Sequence, residues 1–264
     1  PAVRAKCLEK MADLMEANMP QLFDLAVREA GKTLNNAIAE VREAVDFCRY
    51  YAKEVRNNIE AYKNPRGIVV AISPWNFPLA IFVGEVSSAL VAGNVVLAKP
   101  AEQTSLMAHY AASLFYQAGV PKAALQCLPG RGKTVGVALV ADHRVNGVIF
   151  TGSTETAKNI NRNLHKNEKI IPLIAETGGQ NAMIVDSSAL GEQVVIDVLN
   201  SAFDSAGQRC SALRVLYLQR DVADHILTML KGAMAELKVG LPQHLTTDVG
   251  PVIDKVAQQR LLDH

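Results

Sequence analysis

The chain has 264 residues, 49% hydrophobic and 20% charged, which allows one large or two small folded domains and excludes disorder. Its 27 Lys and Arg stand against 26 Asp and Glu, so a net charge of +1 offers no global field for gripping nucleic acid or an anionic membrane. Any partner has to be read by a local site.

The cysteines, Cys7, Cys48, Cys127 and Cys210, are widely spaced, with no CxxC and no His at zinc-ligand separation, so neither a disulfide framework nor a metal site is expected. The start, Pro1 to Cys7, lacks the apolar core of a signal peptide, and no uninterrupted apolar run reaches about 18 residues. A cytoplasmic protein is expected, without membrane or nucleic-acid contact. The missing initial methionine suggests a piece of a longer parent.

From Val3 to about Asn58 apolar residues recur at helical spacing (Leu8, Met11, Met15; Ile38, Val41, Val45), with breaks near Pro20 and Gly31, predicting two or three amphipathic helices. After Pro65 short apolar runs alternate with helical segments. Strands are expected at 67–72, 94–98, 125–128, 145–150, 170–175, 182–185 and 213–218. Helices are expected at 79–91, 105–118, 133–140, from Ser153, and at 192–202 and 222–237. Residues 243–248 read as a surface loop. This alternation implies a mainly parallel α/β sheet with helices on both faces, which binds ligands at the carboxyl ends of its strands.

Residues 129–134 (PGRGKT) imitate a phosphate loop, but a Walker loop needs glycine where Cys127 stands, and a dinucleotide loop needs it at Val135. A plain turn is the better reading. Phe150–Ser153 (FTGS) ends a buried strand in a small-residue turn whose Ser153 can cap the next helix and present N–H groups to an anion; an ordinary turn accounts for it equally well. Glu176 follows an apolar run and precedes Thr177–Gly179, where partial desolvation would raise a carboxylate toward a usable base; a surface ion pair is the competing reading. Cys210, in GQRCS (Gly207–Ser211), has polar and cationic neighbours that favour a thiolate, whereas the other cysteines sit in apolar periodic segments. Asn76, pinned in PWNFP (Pro74–Pro78), can offer an amide N–H to an oxyanion, or the motif is a rigid apolar turn.

In register, PWNFP, KPAE (Lys99–Glu102), GVP (Gly119–Pro121), FTGS, ETGG (Glu176–Gly179) and GQRC resemble the aldehyde dehydrogenase superfamily. Two longer stretches, Ile171–Ser188 and Ser201–Arg214, are similar to the L-glutamate γ-semialdehyde dehydrogenase module of its bifunctional proline-catabolic branch. The resemblance implies a Rossmann-like NAD-binding domain over 1–179, with N-terminal helices to 62, and an incomplete catalytic domain over 180–264. It implies Cys210 as nucleophile, Glu176 as base and Asn76 with the Cys210 N–H as oxyanion donors. NAD would lie along Ile72, Ser73, Pro74, Trp75, Lys99, Glu102, Gly152, Ser153 and Gly178. Glu102 would hydrogen-bond a free ribose 2′-hydroxyl and repel a 2′-phosphate.

Many family members carry glycine where this chain has Ala157, a departure read as subtype. Having Glu176 argues against acyl transfer to coenzyme A. The implied substrate is L-glutamate γ-semialdehyde, with Ser211 and Arg209 toward its α-carboxylate and Phe77 and Phe203 along its stem. A proline dehydrogenase module in the same parent chain, a homo-oligomeric parent, and little activity in this segment alone are further expectations. Another aldehyde as substrate, and a noncatalytic NAD-binding segment, are the alternatives.

Overall fold

The computed structural model describes residues 1–166 and 170–264. Two units divide them: Pro1–Ala30 with Ala37–Thr177, and Gly31–Asn36 with Gly178–His264. The second unit thus takes six residues from deep within the first unit's sequence, a loan that a division at 179/180 does not contain.

The first unit begins with helices α1 (Ala2–Ala17), α2 (Met19–Ala30) and α3 (Leu34–Asn57). Asn18 ends α1 by donating its side-chain N–H to the Leu14 carbonyl at 2.7 Å. Pro20 falls in the first turn of α2, where a missing backbone N–H costs nothing. Gly31 closes α2 at φ +64°, the left-handed C-terminal stop that glycine adopts without strain.

Five strands follow, β1 (Ile68–Ile72), β2 (Val95–Lys99), β3 (Leu125–Cys127), β4 (Val145–Gly152) and β5 (Leu173–Thr177), alternating with α4 (Ala80–Val91), α5 (Ser105–Gln117), α6 (Val137–Ala141) and α7 (Thr154–Leu164). All pair in parallel in the order β3-β2-β1-β4-β5. Alternate residues of β1 face opposite layers. Val69 and Ala71 pack into the core built with α1 to α5, and Val70 joins Val148, Phe150, Ile160 and Leu164 on the other face. The order reverses at β1, so the crevice beyond the ends of β1 and β4 is the topological switch point at which such sheets bind ligands.

In the second unit β6 (Asn181–Val185) pairs in parallel with β7 (Leu213–Leu218), and one face of this pair packs on α8 (Gly191–Phe203) and α9 (Arg220–Glu236). A last helix, α10 (Lys255–Asp263), is capped by Asp254, whose carboxylate accepts from the Ala257 N–H at 2.8 Å.

Two expectations shift. The fifth strand starts at Leu173, because Pro172 has no N–H to give a ladder; its carbonyl serves instead, accepting from the Val148 N–H at 3.0 Å. The helix expected at 133–140 is a wide π-turn over Gly132–Gly136 followed by the short α6.

Candidate active site

The first unit gathers its candidate residues at the carboxyl ends of four neighbouring strands. Ile72 ends β1 in register with Lys99 of β2 and Phe150 of β4. The Ser73 N–H donates to the Lys99 carbonyl at 3.2 Å, so Ser73–Phe77 departs from the sheet beside Lys99. On the other side Thr151 is level with Glu176, and Gly152 with Thr177. The Asn76 turn, the FTGS turn and Glu176 therefore share one end of one sheet.

A buried carboxylate fixes the exit of the PWNFP turn. Glu40 of α3 is 2% exposed, and its Oε2 accepts from the Leu79 and Ala80 N–H groups at 3.1 and 2.9 Å. It satisfies donors that α4 leaves open at its N-terminus. Nothing in the local sequence marks Glu40 for this task, since it lies 39 residues before Leu79.

For a dinucleotide, the donor set is apt. Ser153 caps α7 with extended backbone, its Oγ accepting from the Thr156 N–H at 3.2 Å, and a helix start of this kind suits a pyrophosphate. At the end of β2, Lys99 is buried, its Nζ donating to the Pro100 carbonyl at 2.8 Å. Burial lowers its pKa and the neighbouring Glu102 pushes it back up. Glu102 accepts from the Gly132 N–H at 2.8 Å. An acid and an amine side by side at the end of β2, and a helix start at the end of β4 with β1 between them, match ribose hydroxyls and a pyrophosphate, so these residues fit NAD.

Glu176 departs from expectation in one respect. Partial desolvation was the anticipated route to a base, yet Glu176 is exposed. Among the described residues only β4 flanks β5, which is an edge strand with three exposed residues at its centre.

The second unit holds the nucleophile candidate. Cys210 is exposed, Cys48 buried, and Cys7 and Cys127 intermediate. Burial raises the thiol pKa of both Cys48 and Cys127. Ahead of Cys210 the backbone is left-handed at Ser205 and Ala206, both at φ 56°, and at Gly207, φ 65°. A Cβ on Gly207 would meet the Ala202 carbonyl oxygen at 2.8 Å, so only glycine fits. Asp204 accepts from the Ser205 N–H at 2.8 Å and from the Asn36 side chain at 2.7 Å. Lys32, 2% exposed, donates to the Ser205 hydroxyl at 3.3 Å. Beyond the nucleophile, Asn181 donates to the Cys210 and Ala212 carbonyls at 2.8 and 3.0 Å.

Arg209 was expected to meet a substrate carboxylate. Its guanidinium instead pairs with Asp204 at 2.8 Å and donates to the Asn36 side-chain oxygen. Ser211 is exposed, and Phe77 and Phe203 are half-buried. Gly178 is exposed with open space where a Cβ would stand. Lys32, Asn36, Asp204, Glu40, Glu85 and Thr151 escape a sequence reading. Only Glu85, an acid inside an apolar helical run, carries a local signal.

Among the described residues no helix is long and apolar enough to cross a membrane, and no group of three or more His, Cys, Asp and Glu is placed to hold a metal.

A parallel sheet with its switch point beside PWNFP and FTGS, and an exposed cysteine after a left-handed turn, agree with the sequence comparison: the chain belongs to the aldehyde dehydrogenase family, whose pattern matches residues 1–264. It is 62% identical over 269 residues to the bifunctional protein PutA of Klebsiella aerogenes, covering 100% of this chain and 20% of that protein. A structure of a mutant Thermus thermophilus 1-pyrroline-5-carboxylate dehydrogenase superposes with TM-score 0.93 at 32% identity, over 100% of this chain and 55% of that one. A betaine aldehyde dehydrogenase from Staphylococcus aureus, in complex with NAD+, gives TM-score 0.93 at 27% identity, over 99% of this chain and 54% of that one. The chain thus spans about a fifth of the length of its PutA relative.

Proposed function

We propose that this chain is the NAD-binding and nucleophile-bearing part of an enzyme that oxidises L-glutamate γ-semialdehyde to L-glutamate. The observation that carries the reading is the exposed Cys210 at the end of a turn held in left-handed backbone. Family membership, and likeness to a PutA and a 1-pyrroline-5-carboxylate dehydrogenase over the whole chain, support it.

In this reading the Cys210 thiolate attacks the aldehyde carbon, forming a C–S bond while the carbonyl electrons move to oxygen. The Asn76 amide and the Cys210 N–H hold that oxyanion. Bound NAD supplies the acceptor for the hydride that leaves the same carbon. Glu176 then takes a proton from water, the water oxygen attacks the thioester, and the thiolate departs from the new carboxylic acid. Lys99 and Glu102 would hold the adenosine ribose of bound NAD, and the start of α7 its pyrophosphate. Ser211 is the stronger candidate for the substrate's carboxylate, and Arg209 holds the nucleophile turn through Asp204 and Asn36. A proline dehydrogenase module in the same parent chain, and assembly of that parent with copies of itself, belong to this proposal.

The test is an aldehyde panel on the full-length parent, with NAD and NADP, before and after Cys210→Ala. The semialdehyde with NAD should give the highest kcat/KM, Cys210→Ala should remove at least about a thousandfold of it, and the isolated 264-residue segment should turn over far more slowly. A different preferred aldehyde would overturn the substrate, and an active Cys210→Ala would overturn the mechanism.

A further inference from the structure

One buried acid on α4 is not used by the chemistry above. Every residue of α4 but Ile81 and Ser88 is buried, and among them stands Glu85, 7% exposed. Its Oε1 accepts from the Thr151 hydroxyl at 2.8 Å, and its Oε2 has no hydrogen-bond partner among the described residues. Thr151 is the ladder partner of Glu176, and partners across a parallel ladder project from the same face of the sheet. Helix α4, the end of β4 and the end of β5 are thereby linked in one row: Glu85, Thr151, Glu176.

We propose that Glu85 is a positioning residue for thioester hydrolysis, its carboxyl group anchoring the Thr151 hydroxyl and with it the strand end against which Glu176 is registered. The inference rests on the reading of Glu176 as the base. Glu176 is an exposed residue of β5, and among the described residues β5 pairs with β4 alone. Thr151 is the β4 residue level with it, and Glu85 is what holds that side chain. Burial raises the Glu85 pKa well above the ordinary carboxylate value, with the Thr151 hydrogen bond opposing. When protonated, Glu85 accepts from Thr151 through its carbonyl oxygen and carries its proton on Oε2. In that state it fixes geometry without adding a negative charge to the row. Glutamine reproduces this arrangement of acceptor and donor, whereas leucine deletes it.

The experiment is stopped-flow NADH formation by the full-length parent carrying Glu85→Gln, Glu85→Leu, Thr151→Val and the Leu/Val pair. Glu85→Gln should keep kcat within about threefold and leave the pH–rate profile in place. Glu85→Leu and Thr151→Val should each give a stoichiometric burst of NADH, then a steady state slowed about tenfold or more, with KM for both substrates nearly unchanged. The pair should be no worse than either alone. An unslowed Glu85→Leu overturns the proposal, as does a loss confined to KM or burst amplitude. Glu85→Gln as slow as Glu85→Leu with a displaced acid limb overturns it too, by making Glu85 a proton carrier. If Glu85→Leu does not fold, Thr151→Val carries the same test. Glu176→Gln separates the two levels: an unimpaired steady state there would sink the base assignment itself, whatever Glu85 does.

Discussion

Two residues with side chains, Ser205 and Ala206, hold φ near +56° just ahead of Cys210, a conformation costing an L-residue roughly 1–2 kcal/mol. Such strain persists only where the surroundings over-determine it. Here those surroundings are Asp204, Asn36, Lys32 and Arg209, which tie the turn from both sides. Ala206→Gly should therefore relieve more backbone strain than its extra unfolded-state entropy removes, a net gain of about 0.5 kcal/mol. Gly207→Ala places a Cβ 2.8 Å from the Ala202 carbonyl at positive φ, and should lose about 1–3 kcal/mol. Urea midpoints of the two variants should move in opposite directions, and a shared direction would remove the strain argument. Cys210, Glu176 and Asn76 were legible as candidates because each lies inside a short string that the family resemblance picks out. Their surroundings were not. Glu85 and Thr151 are 66 residues apart and Asn36 and Asp204 168 apart, and no local pattern connects such pairs.

At the scale of elements, the starts of α4 and α5 are completed from elsewhere in the chain. Besides Glu40 at α4, Glu29 of α2 accepts from the Leu106 and Met107 N–H groups of α5 at 2.7 and 2.8 Å. Distant carboxylates thus do what a Ser or Asp at the helix start does elsewhere, and they also fasten the N-terminal helices to the sheet layer. Glu29→Ala should cost about 0.5–2 kcal/mol and Glu40→Ala about 1–3 kcal/mol, since the latter strands buried donors. Thermal melts of the two variants should rank in that order. The alternation of strands and helices was readable from apolar runs, and β7 at Leu213–Leu218 falls on its expected residues. The exposure of Glu176 was not readable, because edge position is a property of strand order, which alternation leaves open.

For the molecule as a whole, Glu85 makes stability depend on pH. Its folded pKa lies above its ordinary value near 4.5, so the folded state binds the proton more tightly than the unfolded one. That contribution is complete below the unfolded value and declines as pH rises toward the folded one. Glu85→Gln removes the titration. The variant's melting temperature should thus gain on the parent chain's as pH climbs from about 4 to about 8. A constant difference across that range would show that Glu85 is not the group responsible.

The six residues Gly31–Asn36, made ahead of the parallel sheet but belonging with the second unit, set an order of events during synthesis. Asn36 leaves the ribosome 168 residues before Asp204, and Lys32 precedes Ser205 by 173. At about 5–20 residues per second, that is a wait of roughly 8 to 35 seconds. The helices on either side of the excursion can find their partners in the sheet meanwhile, while a lysine and an asparagine destined for burial stay in water. The turn that carries the nucleophile thus becomes native only after its partners in Gly31–Asn36 have waited through the synthesis of the whole parallel sheet.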